Sequence, residues 1–85
     1  MTRTLTLLAA IHQGPVARLE DICERYLQVS YPEARRRAAL NTLPFPAFRL
    51  TESQKSPLVV RIEDLAAHID RQAEAASKDW ANSQV

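Results

Sequence analysis

The sequence predicts a small α+β domain built from a helix, two closely spaced helices, a two-stranded hairpin and a final helix. Apolar residues recur at helical spacing in several segments, prolines and a polar loop separate those segments, and one central stretch alternates apolar and polar residues. The 85 residues, of which 46% are hydrophobic, are enough for one such domain over residues 1–85. This order of elements predicts a winged helix-turn-helix domain.

The first helix is predicted over residues 4–13, which are rich in leucine and alanine, and we expect it to be mostly buried. Gly14 and Pro15 stop this helix, and residues 15–18 are expected to form a short extended connector. A second, amphipathic helix follows, because its apolar residues recur at i, i+3, i+4 and i+7. These residues are Leu19, Ile22, Cys23 and Tyr26.

The third helix is predicted over about residues 31–41, and residues 30–33 match a capping box. Ser30 takes the cap position, Glu33 stands three residues later, and Pro32 falls in the first turn, where its missing N–H costs nothing. Ala34 and Ala38 are expected to face the core. Because only a few residues separate this helix from the second, the pair predicts a helix-turn-helix.

The wing is predicted as an antiparallel hairpin of residues 47–51 and 58–62, joined by a polar loop. Residues 44–46, Pro-Phe-Pro, prevent the third helix from continuing into it. The final helix has the clearest pattern, a single apolar stripe at helical spacing. Its members are Ile62, Leu65, Ala66, Ile69, Ala73, Ala76 and Trp80. We expect residues 81–85 to fray.

Composition indicates a cytoplasmic protein. The single cysteine, Cys23, allows no intrachain disulfide and is expected to be a small buried core residue. No apolar run approaches the roughly 18 residues of a membrane span. The first 13 residues contain His12 and no small-residue cleavage site, so we interpret them as a domain helix rather than a signal peptide.

The sequence offers few residues in patterns typical of catalytic or metal sites. His12 and His68 are 56 positions apart, and neither has a cysteine or carboxylate at metal-ligand spacing. The acidic residues cluster in first turns of helices, where the helix dipole explains them. No nucleophile motif is present, and the single glycine, Gly14, argues against a phosphate-binding loop. The sequence therefore predicts no enzyme, no metal and no cofactor.

Charge is distributed unevenly, although the net charge is only +1. Residues 31–61 contain six Lys or Arg residues against two Glu residues, whereas residues 62–85 contain two basic and five acidic residues. A basic middle beside an acidic tail predicts one face for a polyanion such as double-stranded DNA.

The DNA-binding candidates lie on the third helix and the wing. Three successive helical residues span about 200° of the surface, so we expect two of the central arginines to reach DNA and the third to cover apolar surface. The wing-tip residues can bond phosphate or sugar, and the strand arginines can extend the patch. The candidates are Arg35, Arg36, Arg37, Arg49, Ser53, Gln54, Lys55 and Arg61. A solvated cationic helix face and an ordinary polar loop remain the alternatives. Trp80 is expected in the core or a protein interface.

An ordered set of short motifs resembles one family. The motifs are Thr4-Leu5 with Leu7-Leu8, Leu19-Glu20-Asp21-Ile22-Cys23, Pro32-Glu33, Pro44 and Pro46 before Arg49, Ser53-Gln54-Lys55, Asp64-Leu65-Ala66 and Ile69-Asp70. Over roughly residues 4–75 the chain resembles the pyocin activator (PrtN-like) proteins of bacteriocin and prophage loci. The resemblance implies a small DNA-binding transcriptional activator of phage-tail-like bacteriocin or prophage genes.

Three hypotheses follow. The first is a sequence-specific regulator whose third helix enters the major groove, binding as a homodimer or a cooperative assembly and contacting RNA polymerase. The second is an excisionase-like factor that bends DNA for a recombinase. The third is a phage-encoded protein-interaction module that inhibits a host factor.

Overall fold

The computed structural model describes residues 2–84 and confirms an α+β architecture, in which helices surround a small antiparallel sheet. In chain order the elements are α1 (Arg3–His12), β1 (Val16–Arg18), α2 (Leu19–Ile22), α3 (Tyr31–Ala39), β2 (Val59–Arg61) and α4 (Ile62–Ser83). A π-helical turn, Cys23–Leu27, continues α2 directly.

The sheet joins the beginning of the chain to its middle. β1 and β2 are antiparallel, and Ala17 lies opposite Val60 at the centre of the register. The Leu19 amide donates to the Leu58 carbonyl at 2.8 Å, and the Ile62 amide donates to the Pro15 carbonyl at 2.7 Å. Residues 15–18 are extended, as expected, and Val16–Arg18 within them forms a strand whose pairing with β2 was not predicted.

The predicted hairpin of residues 47–51 and 58–62 is largely replaced by this pairing. Of the first predicted strand only Phe48 forms a bridge, to Val59, with hydrogen bonds of 2.9 and 2.7 Å. Leu50, expected to share a face with Phe48, is 64% exposed. Residues 49–52 therefore lack a buried apolar face that would hold a longer ladder. The predicted strand over residues 58–62 is present as β2, but the hairpin pairing was wrong beyond the bridge.

α1 and α3 begin at residues whose side chains accept a hydrogen bond from the first turn, and α1 and the π-helical turn each end at a residue with left-handed backbone conformation. Thr2 Oγ1 accepts from the Leu5 amide at 3.1 Å at the start of α1. Gln28, at φ 57°, ends the π-helical turn, and only Gln28, Val29 and Ser30 separate it from α3. Ser30 Oγ accepts from the Glu33 amide at 3.4 Å, which confirms the predicted cap. The short connection between the second and third helices is also confirmed.

The core is formed by one face of each helix together with the sheet. Ala34 is fully buried and Ala38 packs against the core, as predicted, and Cys23 is buried. The expectation that the first helix is mostly buried was wrong. Within α1 only Leu8 is buried, and Leu7 is 54% exposed, because α1 covers the core with one face as it packs along α4.

α4 begins in the core and ends outside it. Ile62, Leu65 and Ala66 are buried, whereas every residue from 71 to 84 is exposed. The 22-residue helix is about 33 Å long, which explains the 54 × 27 × 17 Å shape. The expectation of fraying after residue 80 was wrong for residues 81–83, which stay helical, and residue 85 lies outside the described residues. Within residues 2–84, no helix has the length and apolar character needed to span a bilayer.

Candidate nucleic-acid interface

A cleft of about 280 Å³ lies between α3 and the loop that precedes β2. It brings together four of the residues predicted from the sequence, which come from segments far apart along the chain. We call this cleft the basic groove. Its lining residues are Glu20, Tyr31, Arg35, Arg49, Gln54, Lys55, Ser56, Pro57 and Leu58.

Local hydrogen bonds shape the loop side of the basic groove. Arg49 Nε donates to the Ser56 carbonyl at 3.1 Å, which ties the two ends of the loop together. The Lys55 amide donates to Ser53 Oγ at 3.2 Å, and the Ser56 amide donates to the Ser53 carbonyl at 3.1 Å. Ser53 therefore stabilises the turn that carries Lys55, and it does not itself line the groove.

The helix side of the groove is supplied by α3. Arg35 is exposed, and its guanidinium carbon lies 5.8 Å from the centre of the Tyr31 ring. At this distance the ring attracts the cation weakly and orients the side chain. Arg35 therefore lines the cleft from the helix side, opposite Lys55 on the loop side.

The basic groove has an excess of positive charge. Among residues 2–84, no carboxylate lies within 4.0 Å of the charged nitrogens of Arg35, Arg49 or Lys55. Glu20 is the acidic residue of the lining, and it pairs with Arg18 at 3.4 Å. Three cations therefore converge on a site whose one carboxylate already has a partner, an arrangement suited to a phosphate-bearing ligand.

The other two arginines of the triplet are held by their own helix. Arg36 donates to both oxygens of Glu33, at 3.0 and 2.7 Å, and Arg37 Nε donates to Glu33 Oε1 at 3.0 Å. These bonds, that of Arg36 above all, lower the pKa of Glu33 to about 2. The same carboxylate raises the pKa of Arg36 above its ordinary value. The structure thus separates Arg35, which lines the groove, from its two neighbours.

Arg61 lies elsewhere. Its guanidinium donates to both oxygens of Asp64, at 3.0 and 3.1 Å, and reaches Glu63 Oε1 at 2.8 Å. The Asp64 carboxylate raises the pKa of Arg61 above its ordinary value. Arg61 lines a different cleft, so the structure does not bring it together with Arg35 and Lys55.

Sequence reasoning missed Glu20 and Tyr31 as groove residues, because only the folded chain places them beside the loop. It also assigned Glu33 to capping alone. The signal for its second role was available, since Arg36 and Arg37 stand three and four residues after Glu33, the spacing at which helical side chains meet.

A second cleft, of about 420 Å³, is largely apolar and shares no lining residue with the basic groove. We call it the apolar cleft. It lies where α1, β1 and the start of α4 meet Phe48. Its lining residues are Leu5, Ala9, Gly14, Pro15, Val16, Phe48, Arg61, Ile62 and Glu63. Such a surface suits an apolar side chain of a protein more than a nucleic acid.

The two histidines make structural contacts. A ring nitrogen of His12 lies 3.2 Å from the Tyr26 hydroxyl, and His68 packs edge-on against Phe45. In the described part of the chain, no three His, Cys, Asp or Glu side chains are grouped to hold a metal ion.

Comparison with known proteins identifies one relationship. A family model described as pyocin activator protein PrtN matches residues 4–76, which include α3 and the whole loop side of the basic groove. No curated protein and no solved structure matches the chain significantly. The matched segment covers most of the 85 residues and agrees with the resemblance found from the sequence motifs. The chain therefore belongs to the pyocin activator (PrtN) family.

Proposed function

We propose that this protein is a DNA-binding transcriptional activator of bacteriocin or prophage genes, and that it acts by binding and not by catalysis. Membership of the pyocin activator family supports the activator role. The observation that supports DNA binding is the basic groove, where Arg35, Arg49 and Lys55 converge from a helix and a loop without a carboxylate partner among residues 2–84.

In this proposal residues 1–85 form a single winged helix-turn-helix domain. α2 with its π-helical turn is the first helix of the motif, and α3 is the recognition helix that enters the major groove. The loop of residues 49–58 takes the place of the wing, although one bridge replaces the regular hairpin. Arg35 is the base-reading candidate, because its guanidinium can donate two hydrogen bonds to a guanine edge.

The remaining candidates take supporting roles. Arg49 and Lys55 contact backbone phosphates, Gln54 donates to phosphate or sugar, and Ser53 holds the turn in shape. Glu33 keeps the guanidinium groups of Arg36 and Arg37 from phosphate, although the Arg36 side chain is 61% exposed. We place Arg61 outside the contact surface, because two carboxylates already bind it.

A domain of this size offers few contacts, so tight binding requires a homodimer or a cooperative assembly on repeated sites. Activation further requires contact with RNA polymerase. α4 is the candidate surface, since it carries five acidic residues against two basic ones. With chromosomal DNA as its partner, the protein acts in the cytoplasm.

Fluorescence anisotropy with matched variants tests the assignment. We expect Arg35→Ala to cost about 1–3 kcal/mol on promoter DNA and to remove the preference over random duplex. Lys55→Ala should weaken binding to both duplexes equally, because a phosphate contact carries no sequence information. Lys78→Ala, which removes an equal charge from exposed α4, is the control and should change neither. Equal losses for Arg35→Ala and Lys78→Ala would refute the assignment.

A second candidate function is a protein-interaction module that inhibits a host factor, and the apolar cleft favours it. This function requires a stable complex with one protein and no salt-sensitive DNA affinity. Phe48→Ala should then abolish the protein complex, and Lys55→Ala should leave it intact. Salt-sensitive binding to promoter DNA would contradict this candidate as the main function.

A further inference from the structure

The apolar stripe of α4 does not stop where the core stops. Its members are separated alternately by four and three residues, the spacing of a helix seam that faces a partner helix. The stripe runs through Ile62, Ala66, Ile69, Ala73, Ala76 and Trp80. Its first half packs in the core, whereas its second half, Ala73 to Trp80, is exposed, and Trp80 is 67% exposed.

The charged side chains of this exposed segment lie mostly away from the stripe. At 100° per residue, Lys78 points almost opposite to the direction of Ala73, Ala76 and Trp80. Glu74 is on the same far side and pairs with Lys78 at 3.7 Å. Residues 71–83 therefore form an amphipathic helical segment of about 20 Å that presents a narrow apolar face with no partner among residues 2–84.

We propose that two copies of this chain pair through residues 71–83 of α4, antiparallel, about a two-fold axis near Ala76. With this axis the large Trp80 of each copy lies over the small Ala73 of the other, so every bulky side chain meets a space that fits it. A parallel pair would instead set Trp80 against Trp80 and leave a gap at Ala73. The pairing is isologous, as closed two-fold dimers require, and it keeps Lys78 and Glu74 in solvent.

The size of this seam sets its strength. Two buried tryptophans contribute about 300–500 Å², and the alanines add little, against roughly 1,200 Å² for a stable interface. The pair is therefore weak in free solution. Neighbouring DNA sites would strengthen it by raising the effective concentration of one copy near the other. The inference supplies a dimer for the proposed function, but it depends on α4 alone and is testable without DNA.

Oxidative cross-linking of the full chain tests the seam. In Ala76→Cys the two new thiols lie near the axis, within disulfide reach, whereas the native Cys23 is buried. We expect at least tenfold more covalent dimer for Ala76→Cys than for Lys78→Cys, which faces solvent. In the antiparallel pair the two copies of residue 73 are about 10 Å apart along the direction of the helices. Ala73→Cys should therefore cross-link poorly.

A second substitution separates the seam from random collision. Trp80→Ala in the Ala76→Cys chain should lower the yield of dimer at least tenfold, with an unchanged circular dichroism spectrum because residue 80 lies outside the core. Equal yields for Ala76→Cys and Lys78→Cys, or no dimer from either at several hundred micromolar, would overturn the proposal. Efficient cross-linking of Ala73→Cys would overturn the antiparallel arrangement. Because the assay contains no DNA, loss of the proposed DNA binding leaves its result unaffected.

Discussion

Glu33 restrains two arginines of α3, so Glu33→Gln should strengthen the salt dependence of DNA binding. The carboxylate holds Arg36 with two hydrogen bonds and Arg37 with one, at 2.7–3.0 Å. The amide has no charge to retain them, so both guanidinium groups become available to phosphate. Each phosphate neutralised adds about 0.9 to the slope of log affinity against log salt. A fourfold rise in salt then costs about 3.5-fold more affinity for one released arginine and about 12-fold more for two.

The assay is fluorescence anisotropy on a random duplex at several salt concentrations between 50 and 200 mM. Glu74→Gln is the matched control, because it removes the same charge from an ion pair on exposed α4. We expect its slope to equal that of the unmodified protein. A slope for Glu33→Gln that is also unchanged, in a chain shown to be folded by circular dichroism, would refute the idea that Glu33 keeps Arg36 and Arg37 from DNA phosphates.

Four further results are expected. Leu65→Ala should lower the free energy of unfolding by about 2–5 kcal/mol in urea titrations, since Leu65 is 0% exposed, and a loss below about 1 kcal/mol would contradict its core role. Glu20→Gln should raise affinity for promoter and random DNA alike, whereas weaker promoter binding would show that Glu20 contacts a base. Burial raises the pKa of the Cys23 thiol, so thiol reagents should label it only as fast as the chain opens, and immediate labelling would contradict this. The pKa of Glu33 lies below its unfolded value, so its ion pairs stabilise the fold above about pH 4.3 and are lost as pH falls through about 2. A carboxyl titration of Glu33 by NMR with a midpoint near 4 would exclude them.

Helices could be predicted well from the sequence because their signals are local. The cap at Ser30, the apolar periodicity of α4 and the stop at Gly14 all act within a few residues. The pairing of β1 with β2 could not be predicted, because Val16–Arg18 is too short to show alternation and its partner lies more than 40 residues away. The exposed end of α4 is helical although fraying was predicted for it. Its alanines and the Glu74–Lys78 ion pair favour a helix even where the segment has no contact with the core.

The residue types of the candidate site could be predicted from the sequence, but which of these residues lie together in the folded chain could be predicted only in part. Arg35, Arg49 and Lys55 were identified as basic residues of the right segments, and folding places them in one groove. Arg61 looked equivalent in the sequence, but its neighbours along the chain, Asp64 above all, capture its guanidinium. The three-residue spacing of Arg61 and Asp64 was a signal for this pairing, as it was for Glu33 and Arg36.

The most direct test of the central claim is anisotropy with the unmodified protein on promoter DNA from its own genomic neighbourhood, against random duplex, at two salt concentrations. We expect salt-sensitive binding to both duplexes and a clear preference for the promoter, because in the proposed function Arg35 reads bases while Arg49 and Lys55 contact the backbone. No binding to either duplex at low salt would contradict DNA recognition by the basic groove.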